Sequence, residues 1–174
     1  HPGFVTAIDP TRDGVAVVHN GIIENFRELR AFLAGKGIGY ETDTDTETVA
    51  LMAQYYRDQG LSPRDAAEQT IARLTGAYAL CFLFDGEEDL MIAARKGSPL
   101  AIGHGDGEMF VGSDAIALAP MTDKITYLEE GDWAIVTRAG AEIYDVQNRR
   151  ANRAETRIQL DATRFEAAEI NLIL

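Results

Sequence analysis

Residues 17–30, VVHNGIIENFRELR, join an apolar segment directly to a segment with helical periodicity. The apolar segment extends back to Val15 and is rich in valine, which favours a strand. Downstream, apolar residues recur at helical spacing, at Ile22, Phe26, Leu29 and Leu33. We therefore predict that Asn20 and Gly21 lie on a strand-to-helix corner, where backbone N–H groups are free and a side-chain amide can point outwards. Such a corner is a suitable place to hold an oxyanion.

Asn20-Gly21 also has a simpler interpretation, because this dipeptide commonly forms a plain turn. Spacing alone favours the plain turn over an oxyanion site. The preceding His19 has two interpretations as well. It could act as a general base, although a histidine at the end of a strand is more often structural.

The composition of the chain is that of one globular domain. It has 174 residues, of which 46% are hydrophobic and 25% are charged. The formal net charge of −12 predicts that neither nucleic acid nor an anionic membrane is a partner, because both would repel the chain. No apolar run approaches the roughly 18 residues of a membrane span, and no basic-then-apolar leader predicts secretion.

The cysteine and histidine content argues against disulfide and metal sites. Cys81 is the single cysteine, which excludes an internal disulfide and favours a reducing cytoplasm. It lies in the most apolar strand segment, so we expect an inert buried thiol rather than a nucleophile. The three histidines, His1, His19 and His104, lack the spacing of metal ligands. We therefore expect no metal site, and because no Rossmann or P-loop fingerprint is present we expect no cofactor either.

Hydrophobic periodicity divides the chain into helices followed by strands. Helical patterns cover residues 22–35, 45–59 and 63–74, and a short capped helix is predicted within 113–120. From Gly76 onwards, short strand patterns follow at 77–84, 90–95, 100–104, 108–113, 125–130, 132–138 and 141–146. Because the helices run together and then the strands run together, we predict α+β layers rather than a doubly wound sheet.

The segment ETDTDTETV, residues 41–49, has two compatible interpretations. It could be an acidic ligand site. It also fits a capping box, with Thr44 at the N-cap and Glu47 three residues later, and spacing alone favours the cap. In either case Asp45, in the first turn, would present an exposed carboxylate able to pair with an ammonium group.

Six motifs occur in order along the chain: VVHNGIIENFRELR, TDTETV, LTGAYAL, AARKGSPLAIG, VGSDAIALAP and LEEGD. Together they closely resemble the glutaminase domains of the glutamine–fructose-6-phosphate aminotransferases (isomerizing), or glucosamine-6-phosphate synthases, over residues 1–147. These domains are class II glutamine amidotransferases of the N-terminal-nucleophile hydrolase superfamily. The resemblance implies a four-layer αββα sandwich, incomplete at the N-terminus here, with residues 148–174 as a tail or linker of unknown role.

The resemblance also implies an activity and its site residues. In the family, an N-terminal cysteine hydrolyses the amide of glutamine, and the ammonia passes to sugar-phosphate isomerase domains that convert fructose 6-phosphate to glucosamine 6-phosphate. Asn20 matches the asparagine whose side-chain amide donates to the oxyanion, and Gly21 matches the glycine whose backbone N–H is the second donor. Asp45 matches the aspartate that binds the α-ammonium group of glutamine, and His1 matches a histidine near the glutamine pocket.

The chain departs from the family at its N-terminus, because it begins at His1 and the cysteine strand is absent. We therefore expect a fragment that carries the oxyanion hole without the nucleophile and is inactive on its own. The expected partners are glutamine, the isomerase domains of the parent enzyme and further copies in a homo-oligomer. Two alternatives stay open: a non-catalytic glutamine- or protein-binding domain, and the glutaminase domain of another amidotransferase, in purine or asparagine synthesis.

Overall fold

The structure, a computed structural model, describes residues 3–7, 14–158 and 171–173 of the chain. Within these ranges no helix is both long enough and apolar enough to cross a membrane. The same ranges contain no group of three or more His, Cys, Asp and Glu side chains that could hold a metal ion.

The described helices and strands follow one another in nearly the predicted order. The helices are α1 (Phe26–Gly35), α2 (Asp45–Asp58), α3 (Pro63–Arg73) and α4 (Ala115–Leu118). The first strands are β1 (Gly3–Ala7), β2 (Val15–Ile23), β3 (Gly76–Phe84), β4 (Met91–Lys96), β5 (Ala101–His104) and β6 (Met109–Gly112). The later strands are β7 (Lys124–Tyr127), β8 (Trp133–Thr137), β9 (Gly140–Tyr144), β10 (Arg150–Ala151), β11 (Glu155–Arg157) and β12 (Asn171–Ile173).

The strands form two sheets in which neighbouring strands are antiparallel. The large sheet has the order β1-β2-β3-β4-β8-β9-β10. The small sheet has the order β11-β7-β5-β6-β12. Sequence neighbours are therefore often sheet neighbours, but β2 and β3 pair across the three helices that separate them in the chain.

Buried side chains show how these elements stack. Along β3 they alternate, because successive residues of a strand point to opposite faces of the sheet. Leu80 and Phe82 belong to the core beneath the helices, together with Leu33 of α1. Cys81 belongs instead to the core between the two sheets, together with Ile102 of β5.

The outer face of the small sheet carries the last layer. There Leu118 of α4 packs with Phe110 and Ile125 of the small sheet. The order is therefore helices, large sheet, small sheet and helix. This order confirms the predicted α+β sandwich.

The boundary between β2 and α1 differs from the prediction. Asn20 and Gly21 do not lie on a strand-to-helix corner, because β2 continues to Ile23 and α1 begins only at Phe26. Pairing with β3 keeps residues 20–23 extended. Ile22, predicted as the first apolar residue of the helix, is 66% exposed. The local helical spacing was overridden by a strand partner that is distant in the sequence.

Asn25 fixes the start of α1. Its side-chain Nδ2 donates to the carbonyl oxygen of Arg73 at 2.7 Å, and its Oδ1 accepts from the backbone N–H of Thr75 at 3.0 Å. These partners are 48 and 50 residues away in the sequence. No local pattern could therefore have located this end of the helix.

The other predicted elements agree closely with the structure. Helices α2 and α3 begin at the predicted positions 45 and 63, and each ends one residue before the predicted position. The Ser62 side chain caps α3 by accepting from Asp65 N, and Asp114 caps α4 within the predicted range 113–120. Each strand pattern between residues 77 and 146 overlaps an observed strand.

Residues 148–158 contribute to both sheets. Strand β10 extends the large sheet beside β9, and β11 extends the small sheet beside β7. Between them, the Nε and Nη2 atoms of Arg153 each lie 2.8 Å from a carboxylate oxygen of the buried Asp132. The predicted domain boundary at residue 147 stays a prediction.

Candidate functional site

Gly21 lies at a close approach between β2 and β3. Its φ is +108°, and Ala77 O lies 2.1 Å from the place where a Cβ would stand, so only glycine fits. Gly76 makes the reciprocal approach, because its φ is +127° and Ile22 O lies 2.1 Å from the place of its Cβ. The backbone at residues 21–23 is therefore held by two contacts that leave no room for a side chain.

Asn20 is half-buried and directly precedes this close approach on β2. The neighbouring His19 contacts Thr46 of α2, so alternation along the strand points Asn20 to the opposite face, toward the small sheet. Asn20 thus offers a side-chain amide donor one residue from the fixed backbone of Gly21.

Asp45, the first residue of α2, is bound to the end of β2. Its Oδ2 atom accepts a hydrogen bond from the backbone N–H of Ile23 at 2.9 Å. Its Oδ1 atom lies 3.8 Å from Nδ1 of His19, and the side chain is 25% exposed. The structure therefore brings Asp45 to the same stretch of β2 as Asn20 and Gly21, with Oδ1 able to accept a further partner.

The predicted capping box at the start of α2 is wrong in its hydrogen bonds. Thr44 is the N-cap residue, but its side chain makes no capping hydrogen bond. Glu47 accepts instead from the backbone N–H groups of Glu41 and Thr42, both at 2.7 Å, and from the Thr42 hydroxyl. Burial acts to raise the pKa of Glu47, but these hydrogen bonds outweigh it and hold the pKa below its usual value. Glu47 is thus a carboxylate that fixes the loop preceding Asp45.

Arg30 of α1 holds the same loop. Its Nη2 donates to the carbonyl oxygens of Thr42 and Thr44 at 2.8 and 2.9 Å, and its Nε donates to the Thr48 hydroxyl at 3.0 Å. In the sequence, Arg30 resembles any residue on the polar side of a helix, and no pattern marks the carbonyl groups that it binds. Sequence reasoning therefore missed this residue.

His19 is buried beneath the first turn of α2. It is 3% exposed, and its Nδ1 lies 3.0 Å from the Thr46 hydroxyl. Its Nε2 is buried and has no hydrogen-bond partner in the part of the chain that the structure describes. Burial lowers the pKa of His19 below its ordinary value of 6.5, although the nearby Asp45 charge opposes this shift, so the site favours the neutral imidazole. These contacts favour the structural interpretation over a general base.

Two further residues were named from the sequence. Cys81 is buried between the sheets, and burial raises the pKa of its thiol to about 12. A thiol that stays protonated at neutral pH is a poor nucleophile, in agreement with the prediction. His1 lies outside the described residues.

The arrangement suits a small molecule with two different polar ends. Donors at Asn20 and Gly21 suit a developing negative charge, whereas the Asp45 carboxylate suits a cation. The donors and the carboxylate are close in the chain of contacts, because Asp45 is hydrogen-bonded to the backbone N–H of Ile23, two residues after Gly21 on β2. An amino acid with an amide side chain fits both, because its α-ammonium group is a cation and its amide oxygen becomes negatively charged when the amide is attacked.

Comparison with known proteins gives a family match and similar relatives. Residues 7–120 match the family described as "Glutamine amidotransferase domain". Proteins named glutamine–fructose-6-phosphate aminotransferase (isomerizing) are 61% identical over 132 residues in Bradyrhizobium diazoefficiens and 54% identical over 153 residues in Brucella abortus. These alignments cover 76% and 88% of this chain but 22% and 24% of the relatives, so the chain spans about a quarter of their length.

Two solved structures share the fold. Glutamine phosphoribosylpyrophosphate amidotransferase from B. subtilis, complexed with ADP and GMP, matches with a TM-score of 0.65 and 25% identity. A structure described as the allosteric regulatory enzyme of purine biosynthesis matches with a TM-score of 0.64 and 27% identity. Each match covers 84% of this chain and 31% of the solved chain.

Proposed function

This chain belongs to the glutamine amidotransferase domain family, and we propose that it is the glutaminase part of an enzyme of amino-sugar synthesis. In this proposal, the enzyme hydrolyses the side-chain amide of glutamine and uses the ammonia to convert fructose 6-phosphate to glucosamine 6-phosphate. The identity of 54–61% to the named aminotransferases, against 25–27% to the two solved structures, supports this acceptor.

The observation that carries the proposal is the hydrogen bond from Ile23 N to Asp45. It holds a carboxylate with one available oxygen at the end of the strand that carries Asn20 and Gly21. We assign Asp45 to the α-ammonium group of glutamine. The side-chain amide of Asn20 and the backbone N–H of Gly21 are assigned to the oxygen of the amide that is cleaved. His1 is assigned to the neighbourhood of the glutamine pocket on the family resemblance alone.

These roles follow from where charge develops during amide hydrolysis. When the family's cysteine thiolate attacks the amide carbon, the carbonyl oxygen becomes an oxyanion, which two fixed donors stabilise more than they stabilise the neutral carbonyl. Collapse of this intermediate breaks the C–N bond, and the leaving nitrogen takes up the proton that the cysteine thiol had released, so that ammonia departs and a thioester remains. Water then hydrolyses the thioester to glutamate and the free thiol. The contact between Asp45 and the ammonium group is the same before and during the reaction, so it contributes to binding.

The nucleophile of this reaction is not Cys81. Its thiol is buried between the sheets with a pKa of about 12, and its nitrogen is part of the peptide backbone of β3. We therefore propose that the 174 residues alone do not release ammonia from glutamine. The intact protein that carries them supplies the thiolate.

The further partners in this proposal are the isomerase domains of the same enzyme and other copies in a homo-oligomer. The isomerase domains fit the observation that the chain spans about a quarter of the aminotransferases it matches. The net charge of −12 supports the exclusion of nucleic acid and anionic membranes, and the single cysteine supports a cytoplasmic location.

The test is ammonia release and acceptor use by the intact protein. We expect glutamate from glutamine, and glucosamine 6-phosphate when fructose 6-phosphate is added. A polypeptide of the 174 residues alone is the matched control and should release no more ammonia than a heat-treated sample. Transfer of ammonia to phosphoribosyl pyrophosphate or to aspartate would replace the amino-sugar assignment. Glutamine binding without turnover would favour a non-catalytic domain.

A further inference from the structure

His19 is a buried polar residue that packing does not explain. Its Nε2 atom is enclosed without a hydrogen-bond partner among the described residues, and an unsatisfied buried nitrogen costs stability. A leucine could fill much of the same space without that cost. The imidazole instead directs its other nitrogen, Nδ1, at the first turn of α2, 3.0 Å from the Thr46 hydroxyl.

The same nitrogen also lies near the proposed substrate-binding carboxylate. Nδ1 is 3.8 Å from Oδ1 of Asp45, the oxygen that Ile23 N does not occupy. A lone pair facing a carboxylate would be repelled, so the negative charge of Asp45 favours the tautomer that carries its proton on Nδ1. In that tautomer Nδ1–H donates a hydrogen bond to the Thr46 hydroxyl. The partial positive charge on the same hydrogen also attracts the nearby Asp45 carboxylate.

We infer that His19 is a positioning residue for the substrate, because its Nδ1–H holds Thr46 and orients the Asp45 carboxylate toward the α-ammonium group of glutamine. This inference rests on the role proposed for Asp45. His19 touches neither the substrate nor the reacting atoms. It acts through Asp45, so its loss should weaken recognition of the ammonium group and leave stabilisation of the oxyanion unchanged.

The variants that test this inference remove the donor with little change in side-chain volume. His19→Leu removes Nδ1–H, whereas His19→Asn retains a donor at about the same place, because the Asn side-chain nitrogen reaches as far as Nδ1. In the intact protein we expect His19→Leu to raise the KM for glutamine about tenfold with kcat within twofold of its original value. His19→Asn should restore most of the original KM.

A substrate without the ammonium group separates positioning from general damage. We would use 4-carbamoylbutanoate, which is glutamine without its α-amino group. His19→Leu should lower kcat/KM for glutamine about tenfold and leave kcat/KM for this analogue unchanged. In an Asp45→Asn background, His19→Leu should have no further effect on glutamine, because both changes act on the same contact.

A matched control is present in the small sheet. His104 likewise lies near a threonine hydroxyl and a carboxylate, but through different ring nitrogens, with Nε2 at 2.7 Å from the Thr126 hydroxyl and Nδ1 at 3.5 Å from Glu155. His104→Leu should therefore change the kinetics of neither substrate. If His19→Leu does not fold, Thr46→Val removes the hydrogen-bond partner, keeps the side-chain shape, and should give the same selective loss.

The outcomes separate this inference from the proposed function. An equal loss for glutamine and 4-carbamoylbutanoate, or no rescue by His19→Asn, would overturn the positioning role while leaving glutaminase activity established. An intact protein that hydrolyses no glutamine at all would instead overturn the proposed function. A selective loss for glutamine that His19→Asn reverses supports both.

Discussion

Asn20 lies on β2 and Asp45 is hydrogen-bonded to the end of the same strand, but the proposed reaction uses the two side chains at different stages. Asn20 meets a charge that exists only in the transition state, whereas Asp45 meets a charge that the substrate already carries. Gly21 contributes its backbone N–H, and its φ of +108° is a conformation that residues with a side chain rarely adopt. The two side chains should therefore be separable by kinetics, although they are joined through Ile23 in the structure.

In the intact protein, Asn20→Ala should lower kcat by roughly 10²–10³, the usual effect of removing one oxyanion donor, with little change in KM. Asp45→Asn should mainly raise the KM for glutamine, because the ammonium contact is already made before the reaction. Steady-state kinetics of ammonia release measure both. Asp43→Asn is the matched control, since it makes the same chemical change at an exposed position of the same loop. A normal kcat for Asn20→Ala, together with easier unfolding, would identify Asn20 as a purely structural residue.

At the scale of elements, the start of α2 is stabilised by hydrogen bonds other than those of the expected capping box. The loop before it is bound by Glu47 from within the helix and by Arg30 from α1. This loop determines where Asp45 stands. The position of a single carboxylate thus depends on contacts made by two helices.

Glu47→Gln should lower the free energy of unfolding at pH 7 by about 1–3 kcal/mol, because a buried carboxylate that accepts several hydrogen bonds is replaced by a group that is part donor. The pKa of Glu47 is lower in the folded chain than its ordinary value of 4.5. Its contribution to stability is therefore present above about pH 4.5 and is lost as the pH falls through the lower folded pKa. Urea denaturation of the chain at pH 7 and at pH 3 measures this difference.

The control for this prediction is Glu41→Gln. Glu41 is exposed, and it takes part through its backbone N–H, which the substitution keeps. Its effect on stability should be small at both pH values. Equal losses for the two variants, or a Glu47→Gln loss that does not shrink in acid, would argue that the Glu47 hydrogen bonds contribute little.

Elements with local signals were predicted well, and those with distant partners were not. Ser62 and Asp114 are caps that act within three residues, so the starts of α3 and α4 could be predicted from the sequence. The end of β2 depends on pairing with β3, and the start of α1 depends on Asn25 binding the far end of α3. A periodicity that fits a helix could not reveal either partner.

The same distinction applies to the candidate site. Asn20, Gly21 and Asp45 could be identified because they lie in motifs that resemble those of the family. In the structure Asn20 and Gly21 lie on β2, and Asp45 is hydrogen-bonded to Ile23 at the end of that strand. Arg30 and the contact between His19 and Thr46 were not found. Those contacts join residues 12 to 27 positions apart, and a sequence does not show which polar groups meet when α1 and α2 pack on the sheet.

At the scale of the whole molecule, the segment after residue 147 is tied to the sandwich by a buried ion pair. Arg153 binds both oxygens of Asp132, which is 1% exposed and directly precedes β8. Arg153 also lies 3.0 Å from Glu129. Removing the guanidinium would leave the Asp132 carboxylate buried with the backbone N–H of Glu129 as its remaining described partner.

Arg153→Ala should therefore lower the free energy of unfolding by about 1.5–3 kcal/mol, the usual contribution of hydrogen bonds to a charged group. Arg157→Ala is the control, because Arg157 pairs with Asp123 at 3.9 Å and both side chains are mostly exposed. Its effect should be within about 0.5 kcal/mol. Denaturant melts of the chain give both values. A negligible loss for Arg153→Ala would mean that the ion pair with Asp132 does not contribute to the stability of the sandwich.

The paired glycines of β2 and β3 bear on how the chain avoids a wrong alignment. These strands are separated by three helices, so no tight turn dictates which of their residues face each other. At Gly21 and Gly76, a carbonyl oxygen of the opposite strand occupies the space of a missing Cβ. If one strand slid past the other, a residue with a side chain would replace the glycine at each of these points. Its Cβ atom would then collide with the carbonyl oxygen of the opposite strand. The two glycines thus favour a single register of β2 and β3. Because a slip by one residue would turn every side chain of the strand to the other face of the sheet, this register also determines the face on which Asn20 lies.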